Sequence, residues 1–200
     1  MHSWTHRLIK GDHVLHMYEN VPEQEQAVLE LFNWASENAK MFYFTSKKES
    51  EYGITSFSRD GNLSARLVRA IKEGRLQILD SEKSYLTNGV FDPKITLQNV
   101  ITAAESARED GYSSMVAVGD PLWLAGRRGD IPRFVSYEAG LNLLRLPIET
   151  TFICQYDKRV FAKEDLERLR WVHDKVLSNQ VLERNCWFLS NKKKIYGIRA

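Results

Sequence analysis

The chain has 200 residues, of which 43% are hydrophobic, and its 28 lysines and arginines nearly balance 26 acidic residues. This length fits one domain, residues 1–200, which buries roughly 70% of its surface without a metal or a disulfide. The small net charge of +2 argues against direct nucleic-acid binding, and only two cysteines, Cys154 and Cys186, exclude a disulfide framework. No apolar stretch approaches the roughly 20 residues that span a bilayer, and the N-terminus has no apolar signal core, so we expect a cytoplasmic protein without membrane contact.

Strand-like and helix-like patterns alternate along the whole chain. The predicted strands cover 13–18, 41–45, 76–80, 114–118 and 150–155. Asn20 and Glu23 suit reciprocal capping of a first helix, and Asp92-Pro93 begins a later one. Two more helices are predicted over 133–144 and 163–177, while residues 190–200 fit either a last strand or a solvated end. The alternation predicts an α/β fold with a mostly parallel central sheet and helices on both faces.

Polar residues follow two of the predicted strands. The apolar run 150–154 ends in Gln155-Tyr156-Asp157, and the first strand ends in Tyr18-Glu19. Open α/β sheets bind ligands outside the carboxyl ends of their strands. Glu138 and Asn142 stand four apart on one predicted helix, so both point the same way. We therefore expect one cavity to be surrounded by His13, Tyr18, Glu19, Glu138 and Tyr156.

The sequence lacks the motifs of common enzymes and nucleotide-binding proteins. The turn after the first strand has no glycines or lysine to hold a phosphate, and Glu23 and Glu25 in the first helical turn repel an anion. There is no Gly-x-Ser-x-Gly, Cys-x-x-Cys or His-Glu-x-x-His motif. The sequence therefore predicts no catalytic residue and no cofactor.

Metal-ligand residue types are present, but their spacing matches no known metal motif. They are His13, His16, His173, Cys154, Glu138 and Asp157. On a strand, His13 and His16 point to opposite faces, so only proximity in the folded chain would assemble a metal site. The sequence thus predicts no metal site. A cysteine in an apolar strand is more often a small hydrophobe than a nucleophile, unless a histidine lies beside Cys154.

Several aromatic residues fall near the expected pocket. Trp123 follows the fourth strand, and Tyr18, Tyr137 and Tyr156 lie at or near other site-facing positions. Tyrosine and tryptophan combine apolar area with one polar group, which suits a small organic ligand. Ordinary core packing is the alternative for each of them.

Six short motifs occur in a fixed order between about residues 10 and 180. They are His13-x-x-x-x-Tyr18-Glu19-Asn20, Tyr85 with Gly89-Val90-Phe91-Asp92, Gly119-Asp120-x-x-Trp123, Tyr137-Glu138-x-x-x-Asn142, Cys154-Gln155-Tyr156-Asp157, and His173. Together they resemble the MEDS domain, the methanogen and methylotroph sensory domain typified by the dichloromethane-responsive regulator. The resemblance implies a core similar to a degenerate RecA or KaiC domain, here without a phosphate-binding loop. It also implies a sensor of small hydrocarbon derivatives that binds its ligand without an established reaction.

We therefore expect a stand-alone sensory domain that binds a one-carbon or short organic compound. Ligand binding is assigned to His13, Tyr18, Glu19, Trp123, Tyr137, Glu138, Cys154, Tyr156, Asp157 and His173. No output module is recognisable, so we expect signalling through a separate regulator or kinase, with homo-oligomer formation left open. The alternative functions are an enzyme or nucleotide-binding protein with an atypical phosphate site, which ATP and magnesium would stabilise, and a pure interaction domain.

Overall fold

The structure is a computed structural model that describes residues 3–35, 37–46 and 61–188. Its strands are β1 (His13–Tyr18), β2 (Ala39–Thr45), β3 (Leu76–Asp80), β4 (Leu86–Thr87), β5 (Val90–Phe91), β6 (Ser114–Gly119), β7 (Glu149–Asp157), β8 (Lys175–Ser178) and β9 (Val181–Arg184). Seven of them form one sheet in the order β3-β2-β6-β7-β1-β8-β9, and β4 and β5 form a separate antiparallel pair. All neighbours in the large sheet are parallel except β8 and β9.

Helices cover both faces of this sheet. They are α1 (Val21–Trp34), α2 (Gly61–Lys72), α3 (Ser81–Tyr85), α4 (Pro93–Glu109), α5 (Ile131–Leu141) and α6 (Lys163–Arg170). Apolar residues of α1 and α2 pack on one face of the sheet, and those of α4, α5 and α6 pack on the other. The predicted three-layer α/β architecture is confirmed. Within the described residues, the helices are too short or too polar to cross a membrane.

The helix-start signals that were predicted from the sequence are present. The Asp92 carboxylate accepts hydrogen bonds from the backbone N–H groups of Lys94 and Ile95, and Pro93 is the first residue of α4. At the start of α1, the Asn20 side chain accepts from the N–H of Glu23. The Glu23 carboxylate accepts from the N–H of Glu19 rather than that of Asn20, so the reciprocal cap is shifted by one residue.

The predicted last helix is too long. Residues 163–177 were expected to be helical, but α6 ends at Arg170 and Val176 lies in β8. The Asp174 N–H donates to the His13 carbonyl, so the chain leaves the helix to pair beside β1. The segment that was expected to continue the helix instead forms β8 beside β1, and β9 pairs with β8. Residues 190–200, which fit either a last strand or a solvated end, lie outside the described residues.

Successive side chains of a strand point to opposite faces of the sheet, and this alternation determines which side chains contact each other. His13, Leu15 and Met17 of β1 share a face with Phe152, Cys154 and Tyr156 of β7, against α5 and α6. Val14 and Ile153 face α1 instead. His16 contacts Gln155 on that second side, so His13 and His16 point to opposite faces as the sequence predicts.

Candidate functional site

A buried carboxylate lies against the middle of the sheet. Phe134, Tyr137 and Leu141 form the apolar stripe that packs α5 on the sheet, and Glu138 is carried inward beside them with 1% of its surface exposed. A buried glutamate is rare unless it has partners, because removing a carboxylate from water is costly. Its partners therefore define the site.

Four side chains from three other parts of the chain converge on Glu138. Its Oε1 accepts a hydrogen bond from the Tyr156 hydroxyl at 2.6 Å. Its Oε2 lies 3.0 Å from Nε2 of His13 and 3.5 Å from Nε2 of His173. The Cys154 thiol donates to the same Oε2 at 3.3 Å. We call His13, Glu138, Cys154 and His173 the Glu138 cluster.

Neighbouring groups fix the tautomers of both histidines. Asn142 donates through Nδ2 to the carbonyls of Glu138 and Val172, which turns its Oδ1 towards Nδ1 of His13 at 3.1 Å. If the Asn142 amide were flipped, its oxygen would face the two carbonyl oxygens, which cannot donate to it. The amide oxygen therefore faces His13, and Nδ1 of His13 is the donor in this contact. Nδ1 of His173 donates to the Leu169 carbonyl at 2.7 Å. In a neutral imidazole only one nitrogen carries a proton, so both Nε2 atoms then present a lone pair to Glu138.

The electrostatics of the cluster follow from burial and proximity. Burial alone would raise the pKa of Glu138, but the hydrogen bond with His13 and the nearness of His173 lower this pKa below its usual range. The pKa of His173 is lowered by burial and by His13. Burial and the negative charge of Glu138 raise the pKa of the Cys154 thiol. His13 Nε2 lies 3.4 Å from its sulfur, so a histidine does stand beside Cys154, but the raised pKa disfavours the thiolate on which nucleophilic attack depends.

An apolar cavity of about 330 Å³ adjoins the cluster on the same face of the sheet. Its walls are mostly apolar side chains of β2, β3, β6, β7, α4 and α5, namely Phe42, Phe44, Leu79, Val100, Ala103, Met115, Ala117, Leu141 and Phe152. Polar atoms come from Tyr85, Tyr137 and Cys154, and from Lys83, Ser84, Thr96 and Asn99. Cys154 therefore belongs both to the cluster and to the cavity wall.

The two tyrosines of the cavity are hydrogen-bonded to each other. Their ring centroids lie 5.8 Å apart at 88°, and burial raises the pKa of both hydroxyls. The Tyr85 hydroxyl fits only because residue 119 is glycine, since a Cβ there would lie 2.7 Å from this oxygen. The pair supplies neutral hydroxyl groups at the inner end of an otherwise apolar space.

The structure brings together only part of the predicted ligand-binding set. His13, Glu138, Cys154, Tyr156 and His173 meet as described, and Tyr137 lines the adjacent cavity. Trp123 lies beyond Tyr85, with ring centroids 5.9 Å apart, in an aromatic group with Phe91 and Phe134.

Three predicted residues lie elsewhere. Tyr18 is on the α1 face near His16, because it is an odd number of positions from His13 along β1. Glu19 lies at the carboxyl end of the strand and pairs with Lys158 at 2.5 Å. Asp157 holds the Arg159 guanidinium at 2.6 Å. The prediction of one shared cavity is therefore wrong: His13 and Tyr156 contact Glu138, Tyr18 and Glu19 lie apart, and none of the five lines the apolar cavity. The cluster lies on the sheet face rather than beyond the strand ends.

Most of the cavity lining was absent from the predicted ligand-binding set, and so was Asn142 beside the cluster. Phe152 alternates with Cys154 and Tyr156, so the two-residue period of a strand would have identified it. Asn142 was expected to share a face with Glu138, and it does, but its role in orienting His13 depends on a contact across 129 residues.

Comparisons with known proteins agree with the motif pattern. A search of curated proteins finds no match to the chain. The family model described as the methanogen/methylotroph, DcmR sensory domain, MEDS, matches residues 12–174, so the chain belongs to the MEDS family of sensory domains.

Proposed function

We propose that this sensory domain binds a one-carbon or short hydrocarbon derivative in the cavity beside the Glu138 cluster. The observation that carries the proposal is the cavity itself, which has about 330 Å³ of space, mostly apolar walls and a few polar groups at one end. Small-molecule sites typically combine these features. An apolar protein cavity of about 150 Å³ holds benzene, so this one has room for a compound of several carbon atoms.

The polar groups set the chemistry of the ligand. The paired hydroxyls of Tyr85 and Tyr137 and the Cys154 thiol are neutral at physiological pH, because their pKa values are raised. A neutral ligand with an apolar body and one small polar or halogen substituent matches this lining. Glu138 behind Cys154 disfavours an anion, and the Lys83 ammonium in the lining is paired with Asp80 at 3.8 Å.

The start of α1 argues against the nucleotide-binding alternative. Only Glu19 and Asn20 separate β1 from α1, and Pro22 has no backbone N–H. The N–H groups of Glu19 and Glu23 are already bonded to side-chain oxygens. A phosphate at this turn would have to displace both bonds and approach acidic side chains. We propose no catalytic role for the domain. We further propose that a separate regulator or kinase is its output partner and that its core is related to RecA-like domains.

Thermal unfolding with a ligand panel tests the proposal. Short-chain alcohols, aldehydes and chlorinated alkanes are added to the full chain, and at least one class is expected to raise the melting temperature in a saturable way. Ala103→Leu, which fills the cavity from α4, should abolish this rise. Thr102→Leu, on the exposed side of the same helix, is the matched control and should retain it.

Two results would count against the proposal. An equal response in the Ala103→Leu variant would place binding outside the cavity. A response to magnesium ATP, with none to the organic panel, would favour the nucleotide-binding alternative.

A further inference from the structure

With both histidines neutral, the two contacts between their Nε2 atoms and the Glu138 carboxylate are unfavourable unless a cation lies among them. Both Nδ1 atoms are committed as donors, to Asn142 Oδ1 and to the Leu169 carbonyl. The remaining Nε2 lone pairs face a carboxylate oxygen at 3.0 and 3.5 Å. Within the described part of the chain, His173 Nε2 has no hydrogen-bond partner although the residue is fully buried. An orphaned acceptor directed at another acceptor indicates a missing positive charge.

The geometry points to a metal site: we propose that His13, Glu138, Cys154 and His173 bind one Zn²⁺-class ion in the space between them. The four ligand atoms all lie within 4.8 Å of one another, and the residues are buried. Zinc accepts this mixture of imidazole nitrogen, thiolate and carboxylate oxygen. This inference goes beyond the ligand-binding proposal, because the cavity can hold a ligand whether or not the ion is bound.

The distances between ligand atoms suit a tetrahedral ion. Glu138 Oε2 is 3.0 Å from His13 Nε2, 3.3 Å from the Cys154 sulfur and 3.5 Å from His173 Nε2. The sulfur is 3.4 Å from His13 Nε2. A tetrahedral zinc site with bonds of about 2.0–2.3 Å separates its ligand atoms by roughly 3.3–3.8 Å. Four of the six distances between ligand atoms are therefore close to those of a tetrahedral site, and the two others, from His173 Nε2 to His13 Nε2 and to the Cys154 sulfur, are at most 4.8 Å.

Outer hydrogen bonds already hold the proposed ligands in place. In metal sites, a ligating histidine usually donates its other ring N–H to a carbonyl or carboxylate, which fixes the ring orientation. His173 meets this condition through Leu169, and His13 does so through the Asn142 amide oxygen. The second carboxylate oxygen of Glu138 is bound by the Tyr156 hydroxyl.

The loop that carries His173 is also fixed. The Asn185 side chain donates to the His173 carbonyl at 2.8 Å, and Asp174 accepts from the His13 N–H at 2.9 Å. The proposed ligands on β1, α5, β7 and this loop are thus held in place by hydrogen bonds to other parts of the chain. Such preorganisation serves a binding site and is not needed for packing an apolar core.

Metal loading of the full chain tests the proposal. The protein is stripped with a chelator, loaded with Zn²⁺ or Co²⁺ and desalted, and the retained metal is counted. We expect one ion per chain, and the Co²⁺ form should show a sulfur-to-cobalt charge-transfer band with tetrahedral visible absorption. Cys154→Ser should abolish the band and weaken metal affinity more than tenfold, since losing even an outer partner costs roughly 10–100-fold.

The second cysteine provides the matched control. Cys186 is exposed, whereas Cys154 is buried, and Cys186 is not among the clustered ligand residues, so Cys186→Ser should retain the band and the affinity. X-ray absorption of the zinc-loaded wild-type chain does not depend on the stability of either variant, and it should give one sulfur and three nitrogen or oxygen neighbours. No retained metal, a site without sulfur, or a band lost in Cys186→Ser would overturn the proposal.

Discussion

Replacement of Glu138 by glutamine separates a metal ligand from a structural ion-pair partner. The amide has nearly the same shape as the carboxylate. Its oxygen can accept from Tyr156, and its NH₂ can donate to the lone pair on His13 Nε2, now 3.0 Å from the carboxylate. In chelator we therefore expect the free energy of unfolding to change by less than about 1 kcal/mol.

With zinc the two proteins should differ strongly. An ion present at a thousand times its Kd stabilises the native state by about 4 kcal/mol. For a chain of this size, about 1 kcal/mol corresponds to a melting-temperature shift of about 2–4 °C, so the wild type should gain about 8–16 °C. Glu138→Gln should gain little, because an amide nitrogen is not a zinc ligand and the carboxylate oxygen central to the cluster is gone.

The assay is thermal and urea unfolding of each protein, with chelator and with zinc. Glu167→Gln, an exposed glutamate on α6, controls for the loss of one negative charge. A loss of about 3–5 kcal/mol by Glu138→Gln in chelator would refute the reasoning, because that is the cost of breaking a buried ion pair. Equal stabilisation of both proteins by zinc would refute it as well.

Three further predictions concern the surroundings of the cluster. Burial and Lys158 lower the pKa of His16 to about 3 in the folded chain, whereas its pKa in the unfolded chain is about 6.5. Because the unfolded chain takes up a proton at a higher pH than the folded chain, the free energy of unfolding should fall as the pH drops below about 6.5. Acidification to about pH 5 should cost about 2 kcal/mol in urea unfolding, and His16→Gln should remove that part of the slope. Phe152 lines both the cavity and a neighbouring one of about 350 Å³. Phe152→Ala should therefore lower the free energy of unfolding by about 3–5 kcal/mol and allow larger compounds of the ligand panel to bind. Unchanged size selectivity would contradict this geometry. Calorimetric titration of an organic ligand should give different affinities with and without zinc, and equal affinities would show that Cys154 does not connect the two sites.

Local signals explain why much of the fold could be predicted. Asp92 and Pro93 begin a helix by their own chemistry, and the five predicted strands are short apolar runs that need no distant partner to be recognised. The end of α6 is different, because Val176 and Leu177 fit the apolar spacing of a continued helix. What ends the helix is pairing with β1, a contact across more than 150 residues that periodicity does not contain.

The same distinction applies to the site. Glu138 and Asn142 share a helix face, and Cys154 and Tyr156 share a strand face, so each pair could be predicted from spacing. The approach of His13 to Glu138 and Cys154 joins three separate elements, and no sequence spacing encodes it. The error for Tyr18 could have been avoided from the sequence, because the two-residue period of β1 places Tyr18 and His13 on opposite faces of the sheet.

Cys154 makes the metal proposal and the ligand proposal physically dependent on each other. Without an ion its thiol is protonated, since burial and Glu138 raise its pKa, and it donates its proton to Glu138, so only a weakly accepting neutral sulfur faces the cavity. Metal coordination requires the thiolate, so an ion would release this proton and make the sulfur at the wall a stronger acceptor. A ligand that donates a hydrogen bond, such as an alcohol, should then bind more tightly to the loaded protein. Because binding free energies are reciprocal, the same alcohol should raise the zinc affinity by the same factor. A factor clearly above one supports action of the ion and the organic ligand on one shared group, whereas a factor of one would contradict it.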